Sequence, residues 1–146
     1  MNPKIIRRDL NSRNVLVDSH QGAKLCDFGI SRNPSVEDNM KAGVGTALGI
    51  APEFNMGGRY TKLVDVYSLG VVLKELDTCK NPFHDAANTN GSKIQDVTTL
   101  QLVSSGQLKP SISESCPASI VKLAEACLTF HPSERPRAIY RLVPIA

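Results

Sequence analysis

Arg7-Arg8-Asp9-Leu10-Asn11-Ser12-Arg13-Asn14, followed by Asp27-Phe28-Gly29, is the stretch on which the reading of this chain turns. Each of these residues taken singly reads as a surface turn acid or amide. Order and spacing say more, because Asp27 lies eighteen positions after Asp9 and further punctuated motifs follow. They are Gly45-Thr46, Ala51-Pro52-Glu53, Asp65-Val66-Tyr67-Ser68-Leu69-Gly70 and Arg135-Pro136. Together they run from one end of the chain to the other.

Composition sets the bounds. The 146 residues are 41% hydrophobic and 21% charged, ordinary for one soluble globular domain. A net charge of +3, from 17 basic and 14 acidic residues, is too small and dispersed to argue for nucleic acid. The central apolar run, Leu69 to Leu73, is interrupted by Gly70 and falls far short of a membrane span. Met1-Asn2-Pro3-Lys4 reaches charge at once, so no secretory signal is expected. Cys26, Cys79, Cys116 and Cys127 form no C-x-x-C pair and do not cluster with His20, His84 or His131. That pattern reads as reduced thiols in an intracellular, cytoplasmic protein rather than as disulfides or zinc.

Local signals place the elements. Val15 to Val17 and Ala23 to Cys26 flank turn residues from Asp18 to Gly22, which predicts a hairpin. Ser31 to Val44 is polar and without period, a loop. Asp65 to Leu76 carries apolar residues at 66, 69, 72, 73 and 76, with Tyr67 and Val71 on other faces, which predicts a helix buried nearly all round. Asn81 to Ser92 reads as a loop. A helix then opens at Asp96 with apolar positions 97, 100 and 103 and closes at Gly106. Another opens at Pro117, with Ile120, Val121, Ala124, Cys127 and Leu128 on one stripe.

The motifs resemble those of protein kinases: the catalytic loop H-R-D-L-x-x-x-N, the D-F-G and the A-P-E. The resemblance implies a mainly α fold, the C-terminal lobe of a kinase, with a short β-hairpin at the nucleotide cleft. It implies ATP and Mg2+ as cofactors and a protein as substrate. Phosphoryl transfer asks a protein for positioning and charge neutralisation more than for covalent chemistry. Asp9 would orient the attacking hydroxyl, and Arg13 would supply charge to the transferring phosphate. Asn14 and Asp27 would hold magnesium through hard oxygen donors. Leu16, Cys26, Asp27, Phe28 and Gly29 would line the nucleotide site. Leu16 read without the resemblance is plain core packing, and Cys26 an inert buried thiol. By the resemblance Arg8 would be the arginine that in many kinases pairs with a loop phosphate, with Ser31, Ser35 and Thr46 as the hydroxyls in its reach. The resemblance thus implies regulation by phosphorylation, while a lone loop serine read by itself is a solubilising residue. Asp65 would anchor the catalytic-loop backbone, and Arg135 would pair with Glu53.

The chain also departs from the family pattern. A complete kinase domain is nearly twice this length, and the Gly-rich loop and V-A-I-K lysine have no counterpart here. One partial domain over 1–146 with the N-lobe absent is therefore expected. Arg7 stands where the family has histidine, so its guanidinium must find a partner or pull out to water. Gly49 stands where it has a large aromatic, which would leave a void. The Gly45-Thr46 platform resembles serine/threonine kinases, and Cys127-Leu128 to Arg135-Pro136 resembles the tyrosine-kinase-like group. The leading expectation is the large-lobe half of an ATP-dependent serine/threonine kinase, inactive by itself. The alternative is a catalytically silent scaffold that binds a regulatory protein or another kinase. An unrelated binding module with accidental motifs is the third reading.

Overall fold

A computed structural model describes residues 6–26, 48–57 and 61–137. Among them the chain forms a 3-10 turn at Ser12–Asn14 and a hairpin of β1 (Val15–Asp18) and β2 (Gly22–Leu25). Four α-helices follow: α1 (Pro52–Asn55), α2 (Leu63–Thr78), α3 (Asp96–Ser104) and α4 (Ala118–Cys127). A second 3-10 turn spans Pro132–Glu134. The class is mainly α with one short antiparallel hairpin, in agreement with the sequence.

The hairpin is written into its turn. Asp18 Oδ1 accepts from the His20 and Gln21 backbone N–H groups at 2.8 and 2.7 Å, which closes the bend. Gly22 supplies the left-handed residue, with φ of +72°, that a three-residue hairpin loop requires. The register pairs Val15 with Leu25 and Asp18 with Gly22. Both strands are largely solvent-exposed, so the hairpin is an appendage of the core rather than a layer of it.

Helix α2 is the centre of the fold. On one flank Val64, Tyr67 and Val71 pack with Ile6, Ala51 and Leu128, and Phe54 of α1 closes the cluster. Burying a side chain of this size contributes about 1.5–3 kcal/mol each. Helix α4 crosses α2 at Gly70, where a Cβ would stand 2.7 Å from Leu128 Cγ and 3.0 Å from Cys127 Cβ. Any side chain at position 70 would therefore push the two helices apart. A second cluster of Leu48, Phe83, Ala86 and Val103, with Leu100 and Ile94 against it, packs α3 on Leu48 and on the segment that follows α2. Asp77 binds the loop before α4 by accepting from the Ser113 N–H and hydroxyl, both at 2.7 Å.

Two expectations of burial are corrected. Leu69 and Leu76 of α2 are exposed, Leu76 to 61%, so the helix is not buried all round. The reason is geometric: residues seven apart share a stripe, and the packing partners of α2 stand on its other flanks. In α3, Val97 is exposed while Thr99 and Val103 are buried, because the 99/103 row faces the second cluster. No helix among the described residues is long and apolar enough to cross a membrane.

Candidate active site

The Asp9 loop is held from below by α2. Asp65, in the first turn of α2, accepts from the backbone N–H of Arg7 at 2.7 Å and of Arg8 at 2.9 Å. Burial pushes the Asp65 carboxyl above the ordinary carboxylate value, opposed by these two N–H groups and by the charges of Arg7 and Arg8. Arg8 sits at a φ of +63°, a region that costs a non-glycine residue about 1–3 kcal/mol. The paired bonds to Asp65 hold this strained turn and aim the next residue, Asp9, out of the core. Arg7 and Arg8 are both buried. Of the two outcomes open to Arg7, a retreat into water is thus excluded.

Two amides fix the Asp9 carboxylate. Asn11 Nδ2 donates to Asp9 Oδ1 at 2.8 Å, and Asn14 Nδ2 donates to Asp9 Oδ2 at 3.0 Å. Asn14 Nδ2 also reaches the Asp9 carbonyl at 2.9 Å. At the same time Asn11 caps the 3-10 turn, its Oδ1 accepting from the Arg13 N–H at 3.0 Å. Sequence reasoning assigned Asn11 no role. Here it is a second positioning amide, and its cue was a capping residue directly before a Ser-Arg-Asn turn.

With its N–H committed to Asp9, Asn14 has its amide oxygen left to meet a hard cation, which fits magnesium. The Cys26 N–H donates to the Asn14 carbonyl at 2.9 Å, so the chain arrives beside Asn14 immediately before Asp27. Cys26 is half-buried. Leu16 is 57% exposed, which rules out core packing among the described residues and leaves its apolar surface open. Arg13 is exposed on the 3-10 turn. Asp27, Phe28, Gly29, Ser31, Ser35, Gly45 and Thr46 lie outside the described residues, as do Lys4 and Ile5. Among the described residues no group of three or more His, Cys, Asp or Glu side chains converges as a metal site.

The start of α2 is held by an ion pair as well. Arg135 donates from Nη1 and Nη2 to the two Glu53 oxygens at 2.7 and 2.9 Å. Its remaining N–H groups go to the carbonyls of Thr129, Leu63 and Phe130 at 2.7, 3.0 and 2.9 Å. All five guanidinium donors are thereby used. The guanidinium also lies 5.0 Å over the Tyr67 ring. Burial drives the Tyr67 hydroxyl well above its ordinary pKa, the Arg135 charge opposing and the Glu53 charge adding to it.

Sequence reasoning passed over Lys74. This side chain of α2 is fully buried, with Nζ 3.2 Å from His84 Nδ1 and 3.5 Å from Asp85 Oδ1. It fastens the Asn81–Asp85 connection to the helix. Beside that connection an open cavity of about 760 Å³ runs under Leu10 to Arg13, past Gly49 and down to Val71 and Val72. The Gly49 carbonyl accepts from the Ser68 hydroxyl at 2.9 Å, which ties the platform to α2.

The loop thus presents one acid, Asp9, fixed by two side-chain amides on a helical lobe, which is the arrangement the kinase resemblance implies. Comparison with known proteins agrees. The protein kinase domain family matches residues 2–142, so the chain belongs to the protein kinase family. A probable serine/threonine-protein kinase of Dictyostelium discoideum is 35% identical over 132 residues, covering 90% of this chain and 14% of that protein. The dual specificity protein kinase shkA of the same organism is 34% identical over 139 residues, 92% of this chain and 25% of its own length. A putative mitogen-activated protein kinase kinase kinase 7-like protein of Drosophila melanogaster is 33% identical over 135 residues, 90% of this chain and 33% of its own length. The chain thus spans a third or less of the length of each of these relatives.

Proposed function

We propose that this chain is the C-lobe portion of an ATP- and magnesium-dependent serine/threonine kinase of the tyrosine-kinase-like group, and that by itself it does not phosphorylate. The observation that carries the reading is the Asp9 carboxylate, clamped by Asn11 and Asn14 on a backbone anchored to Asp65. In that role Asp9 orients a substrate hydroxyl and accepts its proton as transfer proceeds. Arg13, exposed on the same turn, brings positive charge to the phosphate being moved. Asn14 and Asp27 would hold magnesium, which when bound neutralises phosphate charge. Arg8, with Ser31, Ser35 and Thr46, is assigned to regulation, and Leu16, Cys26, Phe28 and Gly29 to the nucleotide surface. The exposed Leu16 supports an apolar floor for the nucleotide.

The scaffold reading leans on Arg7 and Gly49. Arg7 keeps its backbone bond to Asp65, so the substitution leaves the anchor of the Asp9 loop in place. Catalytic descent is therefore the better supported reading. Manganese in place of magnesium, added with ADP, tests the assignment by paramagnetic broadening of backbone NMR signals. Broadening should centre on Asn14, Cys26 and Asp9 and vanish in Asn14→Ala. Broadening centred on Glu75 or Asp96, or one that survives Asn14→Ala, would overturn it.

A further inference from the structure

The chain contains one Asn-Gly pair, Asn90-Gly91, at the tip of a small hairpin between α2 and α3. Ala87 and Lys93 bridge its stem, and the Ile94 N–H donates to the Ala86 carbonyl at 3.1 Å. Residues 87–93 are all exposed, while Ala86 belongs to the second apolar cluster and Ile94 packs against it. The tip has no part in the phosphotransfer chemistry above.

An asparagine before glycine is open to attack from its own backbone. The Gly91 nitrogen bonds to the Asn90 side-chain carbonyl carbon, and the side-chain amide leaves as ammonia with the Gly91 proton. Water then opens the resulting succinimide at either carbonyl, giving aspartate or its β-linked isomer. No oxidant, metal or enzyme is needed. Glycine lacks the Cβ that would crowd the attack.

Asn88 opposes the first step. Its carbonyl accepts from the Gly91 N–H at 2.9 Å, so the attacking nitrogen is held in a turn. Its Oδ1 accepts from the Asn90 and Ser92 N–H groups, both at 3.0 Å. Gly91, at a φ of +77°, supplies the left-handed residue that closes this turn. The residues making these bonds are exposed, so the tip opens locally more readily than the core.

We propose that Asn90 is a site of spontaneous deamidation, that Asn88 is its guard, and that the β-linked product loosens the docking of α3. The β-linkage adds one carbon to the main chain between residues 90 and 91. The Asn88–Gly91 bond and the Ala87–Lys93 bridge then cannot both keep register. Ala86 and Ile94 flank that bridge, and through them the error reaches Phe83 and Val103 of the second cluster. The inference stands independently of the kinase reading.

The test ages the full 146-residue chain at neutral pH and body temperature, without nucleotide or metal. Mass spectrometry of the tryptic peptide 81–93 should place the new acid at residue 90, ahead of Asn81 and Asn88. Labelling by an isoaspartate-specific methyltransferase should show the β-linked form in excess. Asn88→Ala should deamidate about fivefold faster, the factor expected for losing about one net hydrogen bond. If Asn88→Ala fails to fold, the wild-type chain makes the same comparison, faster when unfolded in urea than when folded. The aged fraction carrying the β-linkage should melt below the fresh chain. Asn90→Asp, with the charge but not the extra main-chain carbon, should melt with the fresh chain. Acid forming first at another asparagine overturns the proposal, and so does an unchanged rate in Asn88→Ala or in the unfolded chain. A β-linked fraction that melts with the fresh chain overturns it as well.

Discussion

Helix α2 carries a buried cation near each end, and the two are built differently. Arg135 meets the helix at its first residue through the Leu63 carbonyl, and all five of its donors are paired. Lys74, near the other end, faces His84 at 3.2 Å and Asp85 at 3.5 Å. Both cationic side chains are 0% exposed, but Glu53 is 14% exposed and Asp85 43%. A planar fork matched to a carboxylate returns its desolvation cost through parallel short bonds. A point charge beside a half-solvated acid recovers less, because water screens the partner. Burial alone thus says little about what an ion pair contributes.

The sharpest test of that contrast is removal of the fork. Arg135→Ala should cost about 3–5 kcal/mol, since it leaves Glu53 with no partner in a mostly dry site. Arg135→Lys should recover little of that loss, because one ammonium cannot serve both Glu53 oxygens and three carbonyls. Urea unfolding at constant pH measures both. A loss under about 1 kcal/mol would reduce the pair to the level of a surface bridge.

Lys74→Met is the counterpart, and its effect should be much smaller, about 1.5 kcal/mol or less in either direction. The aliphatic stem is retained, the buried charge disappears, and half-exposed Asp85 can turn to water. If Lys74→Met costs as much as Arg135→Ala, the contrast between the two cations collapses.

Acid titration gives the finest distinction. Burial pushes the Asp85 carboxyl up, but the Ser111 hydroxyl, its own backbone N–H and the charges of Lys74 and His84 outweigh it and hold it below its ordinary value. A folded pKa below the unfolded one contributes stability that is present above the ordinary carboxylate range, about pH 4, and is lost as pH falls through the folded value. The wild-type chain should therefore lose a small increment of stability in that acid window that Asp85→Asn does not lose. Identical acid-side slopes for the two proteins would show that Asp85 contributes nothing to holding Lys74.

Sequence by itself determined the family and the places of the hairpin and the three longer helices, but not of α1 or the 3-10 turns. Motif order from Arg8-Asp9 to Arg135-Pro136 depends only on residue identity and spacing. The hairpin turn at Asp18 and Gly22 and the starts of α3 and α4 rest on signals a few residues wide, which survive without a neighbour. What tertiary structure decided is which side of each helix finds a partner. Leu69 and Leu76 have the hydropathy of core residues yet face solvent, and Lys74 has the chemistry of a surface residue yet is sealed behind His84 and Asp85. Asn11 gained its second role only when the Arg8 turn brought the Asp9 carboxylate within reach of its amide. Burial and hydrogen bonding are properties of pairs of segments distant in the chain, and no window on one segment contains its partner.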